Sequence, residues 1–212
     1  MAKPSYYRPS FDILAPLYDL GICIIGLLFG GEKNLRRSAI EAINPVAGCR
    51  ILEACCGTAT LSLMAVEKGA EVYSIDISRG MLNVAREKAQ RQKAELRLVR
   101  SDVLSIPFKE KTFDGVIASM GLHEIPFDAV RLIFKEVKRV LKDDGRFVLF
   151  DYYQGEGFAG FIQKIFFIFA EHEPAREFIN ADLQKELREA GFKEFRRRLL
   201  AGGTLQVISV TS

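Results

Sequence analysis

The chain has 212 residues, 49% of them hydrophobic and 27% charged, with a formal net charge of +3. That length supports one domain with a substantial core, and so small a charge, without basic residues interleaved with aromatics, argues against a nucleic-acid partner. The four cysteines (Cys23, Cys49, Cys55 and Cys56) show no paired zinc-ligand spacing, so no metal is expected and reduced thiols in a cytoplasm are the simplest account.

In chain order, residues 1–44 read as a helical cover. Its apolar runs, Phe11 to Leu17 and Leu20 to Phe29, are interrupted by Asp12 and Asp19. The uninterrupted part falls well short of the ~20 residues that a bilayer needs, and no basic start or small-residue cleavage site marks a secretory signal. Gly30-Gly31 breaks the chain before a helix with Leu35, Ala39, Ala42 and Ile43 on one face. Strands and helices then alternate: a strand over 49–55, a helix over 58–69, a strand over 71–76, a helix over 78–93, and strands over 95–101 and 113–119. The next helix carries Val130, Ile133, Phe134, Val137, Val140 and Leu141 at helical spacing and is expected to end at Gly145, before a strand from Arg146 to Asp151. A helix over 181–190 turns Leu183, Leu187 and Ala190 inward, and strands over 192–200 and 204–211 meet across Gly202-Gly203 as a hairpin.

Alternation of this kind predicts an α/β fold, a Rossmann-like doubly wound sheet with helices on both faces. Seven strands are expected, mostly parallel, with one antiparallel strand in the C-terminal hairpin. No repeat or linker divides the chain, so a single domain over 1–212 is expected. Its parts are the cover at 1–44, a ligand-binding core at 45–151, a substrate-side insertion at 152–179, and a terminal helix and hairpin at 180–212.

The most informative stretch is Ile51-Leu52-Glu53-Ala54-Cys55-Cys56-Gly57-Thr58-Ala59-Thr60, with Asp76 following 19 residues beyond Gly57. A strand that ends in an acid and breaks into a small-residue turn before a helix exposes backbone N–H groups where positive partial charge collects. A carboxylate about 20 residues on suits ribose hydroxyls. The pair points to a nucleoside ligand. In the dinucleotide register G-x-G-x-x-G the three glycine positions hold Cys55, Gly57 and Thr60, which disfavours a pyrophosphate and with it a nicotinamide-dependent oxidoreductase.

These segments resemble the motifs of the class I S-adenosylmethionine-dependent methyltransferases. Glu53, Cys55, Gly57 and Ala59 stand in the acid-x-Gly-x-Gly-x-Gly pattern. Tyr73 to Leu82 resembles the ribose-binding strand end and the helix after it, often written D-x-S-x-x-M-L, and Val99 to Leu104 the adenine-reading strand end. Phe113 to Ser119 is similar to the fourth strand, and Leu141 to Leu149 to the approach to the fifth. Phe11 to Asp19 resembles the F-D-x-x-A-x-x-Y-D opening of the ubiquinone/menaquinone-biosynthesis group.

The resemblance implies S-adenosylmethionine as cofactor and assigns residues to it. Glu53 orients the methionine end, or is a strand-end acid bonded to backbone. Asp76 accepts both ribose hydroxyls, or caps the next helix, a task Ser78 can also perform. Ile77 and Met81 pack on the adenine face or are plain core. Asp102 accepts from the adenine amino group while the Val103 N–H donates to the ring. Ser119 lines the methionine end, and Tyr18 closes over cofactor or substrate. In the turn itself, Gly57 allows close approach and Cys55 occupies a glycine position.

For catalysis, His123 is the candidate base, because an unperturbed imidazole titrates near neutrality. The alternative is a structural histidine that bonds loop backbone; His172 and the pair Tyr152-Tyr153 are further candidates. The segment Phe158 to Phe169, rich in phenylalanine and isoleucine, suggests a pocket for a small apolar or aromatic acceptor such as a prenylated quinone precursor or lipid. It leaves open peripheral membrane contact, a homodimer interface, or simple packing under the N-terminal segment. Arg196-Arg197-Arg198 would touch anionic headgroups or protect an edge strand. The rival to an enzyme is a cofactor-binding protein without catalysis that acts through a protein partner, suggested by Cys55.

Overall fold

Side chains alternate across each strand, and here both faces of the alternation are apolar. Leu52, Ala54, Val116, Ala118, Phe147 and Leu149 form one buried face; Ile51, Val72, Ile117, Val148 and Phe150 form the other. Strands buried on both sides must have helices on both sides. The computed structural model describes residues 6–27, 31–155 and 173–212. Seven strands form one sheet: β1 (Arg50–Ala54), β2 (Glu71–Asp76), β3 (Arg97–Arg100), β4 (Phe113–Ser119), β5 (Leu141–Tyr152), β6 (Lys193–Leu200) and β7 (Leu205–Thr211). Their order is β3-β2-β1-β4-β5-β7-β6. The first five run parallel, and β7 is antiparallel to both neighbours. The Arg196–Arg198 run lies on the edge strand β6, where charge blunts edge-to-edge pairing.

Helices α2 (Glu32–Ile43) and α3 (Thr60–Val66) cover one face through Ala39, Ile40, Ile43, Leu61 and Ala65. Helix α5 (Phe127–Val140) covers the other through Val130, Ile133, Phe134 and Val137. Helices α6 (Glu173–Asn180) and α7 (Leu183–Glu189) continue that layer with Phe178, Leu183 and Leu187. Helix α4 (Arg79–Gln92) begins at Ser78, whose hydroxyl accepts from the Met81 N–H at 3.1 Å. Ser78 is therefore the cap, which leaves the Asp76 carboxylate for other partners.

The helix before the fifth strand ends at Val140, not at Gly145 as its periodicity suggests. Leu141 is already extended (φ −73°, ψ 141°) and pairs with Phe113, after which the ladder is irregular up to Gly115 and Arg146. Asp144 takes the positive φ of 62°. Leu141 is buried on the strand, so an apolar residue at helical spacing does not by itself place the boundary.

Helix α1 (Ser10–Leu27) packs on α4 and α2 and is fastened by two aspartates. Asp12 accepts from the Ser78 hydroxyl at 2.6 Å and the Gly80 N–H at 2.8 Å, closing on the first turn of α4. Asp19 accepts from Thr58 at 2.6 Å and from Lys88 Nζ at 2.8 Å. Gly80 is required by this approach, because a Cβ there would stand 2.6 Å from Asp12 Cα. No helix among the described residues is long and apolar enough to cross a membrane. The Phe158–Phe169 segment and His172 lie outside the described residues.

Candidate functional site

Where the parallel strands end, a cleft opens that is also lined by Phe11 and Tyr18 of α1. This is the usual place for a ligand in an open α/β sheet. The cleft brings together Glu53, Cys55 and Gly57 from the end of β1 and its turn, and Asp76 and Ile77 from the end of β2. Met81 on α4, Asp102 and Val103 after β3, Ser119 at the end of β4, and Tyr18 on α1 complete the set. His123 does not line it.

The turn after β1 explains the glycine pattern physically. Cys55, Gly57 and Ala59 all adopt left-handed backbone, at φ 55°, 51° and 59°. Glycine is indifferent to that region, whereas each side-chain-bearing residue there costs on the order of 1 kcal/mol. Cys55 fits because it faces Gly121, where a Cβ would come within 2.7 Å of the Cys55 Cβ. A Cβ on Gly57 would meet nothing within 4 Å, so the cost of Gly57→Ala is conformational alone. This variant is expected to lower Tm by about 2–4 °C, the equivalent of about 1 kcal/mol in a chain of this size; an unchanged melting curve by circular dichroism would contradict the backbone argument.

Three carboxylates reach the cleft from successive strand ends, and each is held differently. Glu53 is fully buried and accepts from the Ser62 N–H at 2.8 Å and from the Ser62 hydroxyl. Burial pushes its pKa up to about 7 against the opposing pull of Ser62, Arg36 and Lys88. Asp76 accepts from the Gly57 N–H and the Ser78 N–H, each at 2.8 Å, and so ties the turn after β1 to the start of α4. Burial raises its pKa too, while those N–H groups work against the shift. Asp102 accepts from the Leu104 N–H at 2.9 Å and from the Tyr6 hydroxyl. Ser119 is buried, and its hydroxyl has no hydrogen-bond partner among the described residues. A buried hydroxyl without a partner on the wall of a cleft suits a polar ligand.

His123 sits behind this wall. It lies in the 3₁₀ turn Leu122–Glu124 that follows β4, with Nδ1 2.6 Å from Asp151 Oδ1 and Nε2 3.3 Å from Glu124 Oε1. Its ring meets that of Tyr152 edge-on at 4.6 Å. Burial resists the charged form, yet the Asp151 and Glu124 carboxylates prevail and raise its pKa to about 9. Tyr153 turns outward, beneath the Arg197 guanidinium at 4.9 Å.

Several cleft residues were not singled out from the sequence. Glu124 lines the cleft where His123 was expected. Arg36, buried on α2, also lines it; an arginine on the apolar stripe that holds Ala39 and Ile40 was the available signal. Tyr6, just ahead of α1, reaches Asp102, and no periodicity could indicate that pairing.

Comparison with known proteins agrees with the cleft. Residues 51–145 match the family described as a methyltransferase domain. The chain is 33% identical over 215 aligned residues to a demethylmenaquinone methyltransferase of Geobacillus, covering 90% of each. It is 32% identical over 193 residues to an uncharacterised methyltransferase of Synechocystis, covering 91% of this chain and 89% of that one. The fold is similar to that of a SAM-dependent methyltransferase from Aquifex aeolicus, with a TM-score of 0.69, 18% identity and coverage of 97% and 98%.

Proposed function

The chain belongs to the class I S-adenosylmethionine-dependent methyltransferases, related to the menaquinone-biosynthesis group, and on that premise we propose that its cleft binds S-adenosylmethionine and that its acceptor is a small apolar or aromatic molecule of the quinone type, such as reduced demethylmenaquinone. The observation that carries the reading is convergence. Residues scattered from Tyr18 to Ser119, assigned by motif to the cofactor, line a single cleft at the strand ends.

The side chains present suit that cofactor. Asp76, an acceptor fixed by two N–H groups, matches a ribose diol. Ile77 and Met81 offer an apolar wall for adenine, and Asp102 an acceptor at its amino edge. Ser119 supplies a hydroxyl in need of a partner, and Arg36 a buried cation suited to a carboxylate. When bound, the sulfonium supplies an activated methyl group. The protein's part is then to hold the acceptor in line and keep water out, which can account for much of the acceleration of such a displacement. Cys55 adopts the same left-handed conformation as Gly57, so the feature that suggested a binding-only protein does not favour one.

An apolar acceptor also has a route. Ile13, Leu14 and Leu17 on the outer side of α1 are exposed, Ile13 by 78%, and this patch beside the cleft suits contact with a lipid-borne substrate or the surface of a bilayer. Calorimetric titration with S-adenosylmethionine, after removal of any co-purified cofactor, tests the first half of the proposal. Mass detection of methylated reduced demethylmenaquinone tests the second. Absence of binding by the stripped protein would overturn the whole reading, and binding without turnover would overturn the acceptor.

A further inference from the structure

We propose that Glu124, and not His123, takes the proton lost by the acceptor, and that His123 and Asp151 stand behind it as positioning residues. The inference rests on the reading that this cleft methylates a hydroxyl-bearing aromatic acceptor. Its basis is the order of the three side chains. Asp151 is fully buried at the end of β5, where it accepts from the Leu122 N–H at 3.2 Å and the Tyr152 N–H at 2.8 Å. That anchoring presents Oδ1 to His123 Nδ1 at 2.6 Å, and the ring in turn presents Nε2 to Glu124 at 3.3 Å. Both ring nitrogens thus face carboxylates and both donate, so the imidazole has no lone pair directed at the cleft.

Glu124 is the member of this chain that lines the cleft, beside Ser119, Met120 and Gly121. The other cleft carboxylates are committed elsewhere: Glu53 to Ser62, Asp76 to two backbone N–H groups, Asp102 to Leu104 and Tyr6. Glu124 is held in part by side chains, among them His123 and, at 3.5 Å, Arg8. Other titratable or charged groups around the turn are Tyr152 on β5 and Tyr18 on α1, with Glu173, Arg176 and Glu177 on α6, which packs against it. Glu177 accepts from the Phe127 N–H at 3.3 Å.

The step balances simply. The acceptor forms its bond to the methyl carbon, the C–S electron pair stays on sulfur as the sulfonium becomes a neutral thioether, and the acceptor's proton passes to the Glu124 carboxylate, from which solvent at the mouth of the cleft removes it. General-base assistance of this kind is worth about 10²–10⁴-fold.

Glu124→Gln, which keeps the shape and removes the base, is the test. Three results are expected: S-adenosylmethionine affinity within about twofold of wild type by calorimetry, kcat on reduced demethylmenaquinone lowered about 100-fold, and a His123 imidazole pKa lowered in NMR titration because one carboxylate is gone. Glu124→Asp should recover part of kcat. His123→Asn should lower kcat less, about tenfold, and raise the apparent pKa of the kcat profile, because loss of the imidazolium makes Glu124 easier to protonate. An active Glu124→Gln with wild-type kcat overturns the assignment. A Glu124→Gln that no longer binds cofactor makes the residue structural and overturns it too. An inactive wild type would instead remove the acceptor reading, and the base with it, whereas an unshifted His123 titration in Glu124→Gln would break the chain of contacts independently of any turnover.

Discussion

Replacement of Asp76 by alanine is expected to weaken S-adenosylmethionine binding at least 100-fold. A carboxylate that accepts two hydroxyls makes two charge-assisted hydrogen bonds, each worth about 1.5–3 kcal/mol, and 1.4 kcal/mol is a factor of ten. The same oxygens accept from the Gly57 and Ser78 N–H groups at 2.8 Å, so alanine also releases the turn after β1 from the start of α4. Affinity and stability must therefore be read apart. Asp76→Asn keeps one acceptor oxygen and nearly the same volume, and is expected to retain more stability than the alanine variant while still losing about tenfold in affinity. Calorimetry gives the first quantity and thermal melting without ligand the second. Near-wild-type affinity in both variants, with melting lowered in either, would confine Asp76 to a structural tie and displace the ribose assignment.

How far the sequence discloses this site depends on what each residue does. The sheet is legible because strands buried on two faces leave continuous apolar runs, as in Ile51-Leu52 and Val116-Ile117-Ala118. The turn is legible because Gly57 and the acids at 53 and 76 stand at spacings set by backbone geometry. Cys55 and Ala59 obscure it only in composition, since they adopt the glycine conformation regardless. Helix α6 was missed because Ala175 and Phe178 are its only fully buried apolar side chains, too few for a periodic signal. Asp12 and Asp19 stood in the opening motif, but their bonds to Ser78, Gly80, Thr58 and Lys88 join segments far apart in the chain. The roles of His123 and Glu124 depend on which of two adjacent residues faces the cleft. A 3₁₀ turn decides that, and no pattern of period 2 or 3.6 reports it.

The second large effect is a fall in stability as pH rises from about 5 to 9, opposite to the trend produced by paired surface acids. The sign follows from two buried groups. His123 has a folded pKa of about 9 against an ordinary value of 6.5, so the stability it contributes is fully present below about 6.5 and lost as pH rises through 9. Glu53 has a folded pKa of about 7 against 4.5. The folded state therefore favours its neutral form, and this contribution is present below about 4.5 and lost as pH rises through 7. Each shift corresponds to something on the order of 3 kcal/mol, and the two windows join end to end. The half-buried acids Glu71, Asp114 and Glu186, whose pKa values are lowered by Tyr73, by Lys142 against the opposing pull of burial, and by Arg131, act the other way only as pH falls through their own lower values. Thermal melting across pH 4–9 is expected to peak near pH 5. Glu53→Gln should flatten the limb between about 4.5 and 7 while leaving the upper limb in place, because an amide still accepts from the Ser62 N–H but cannot ionise. His123→Asn should flatten the limb between about 6.5 and 9. The slopes carry the test, since each substitution also changes the absolute level. A wild-type profile flat from pH 5 to 9 would mean that neither group carries the charge state assigned to it, and the imidazolium that holds Glu124 at the cleft would have to be abandoned.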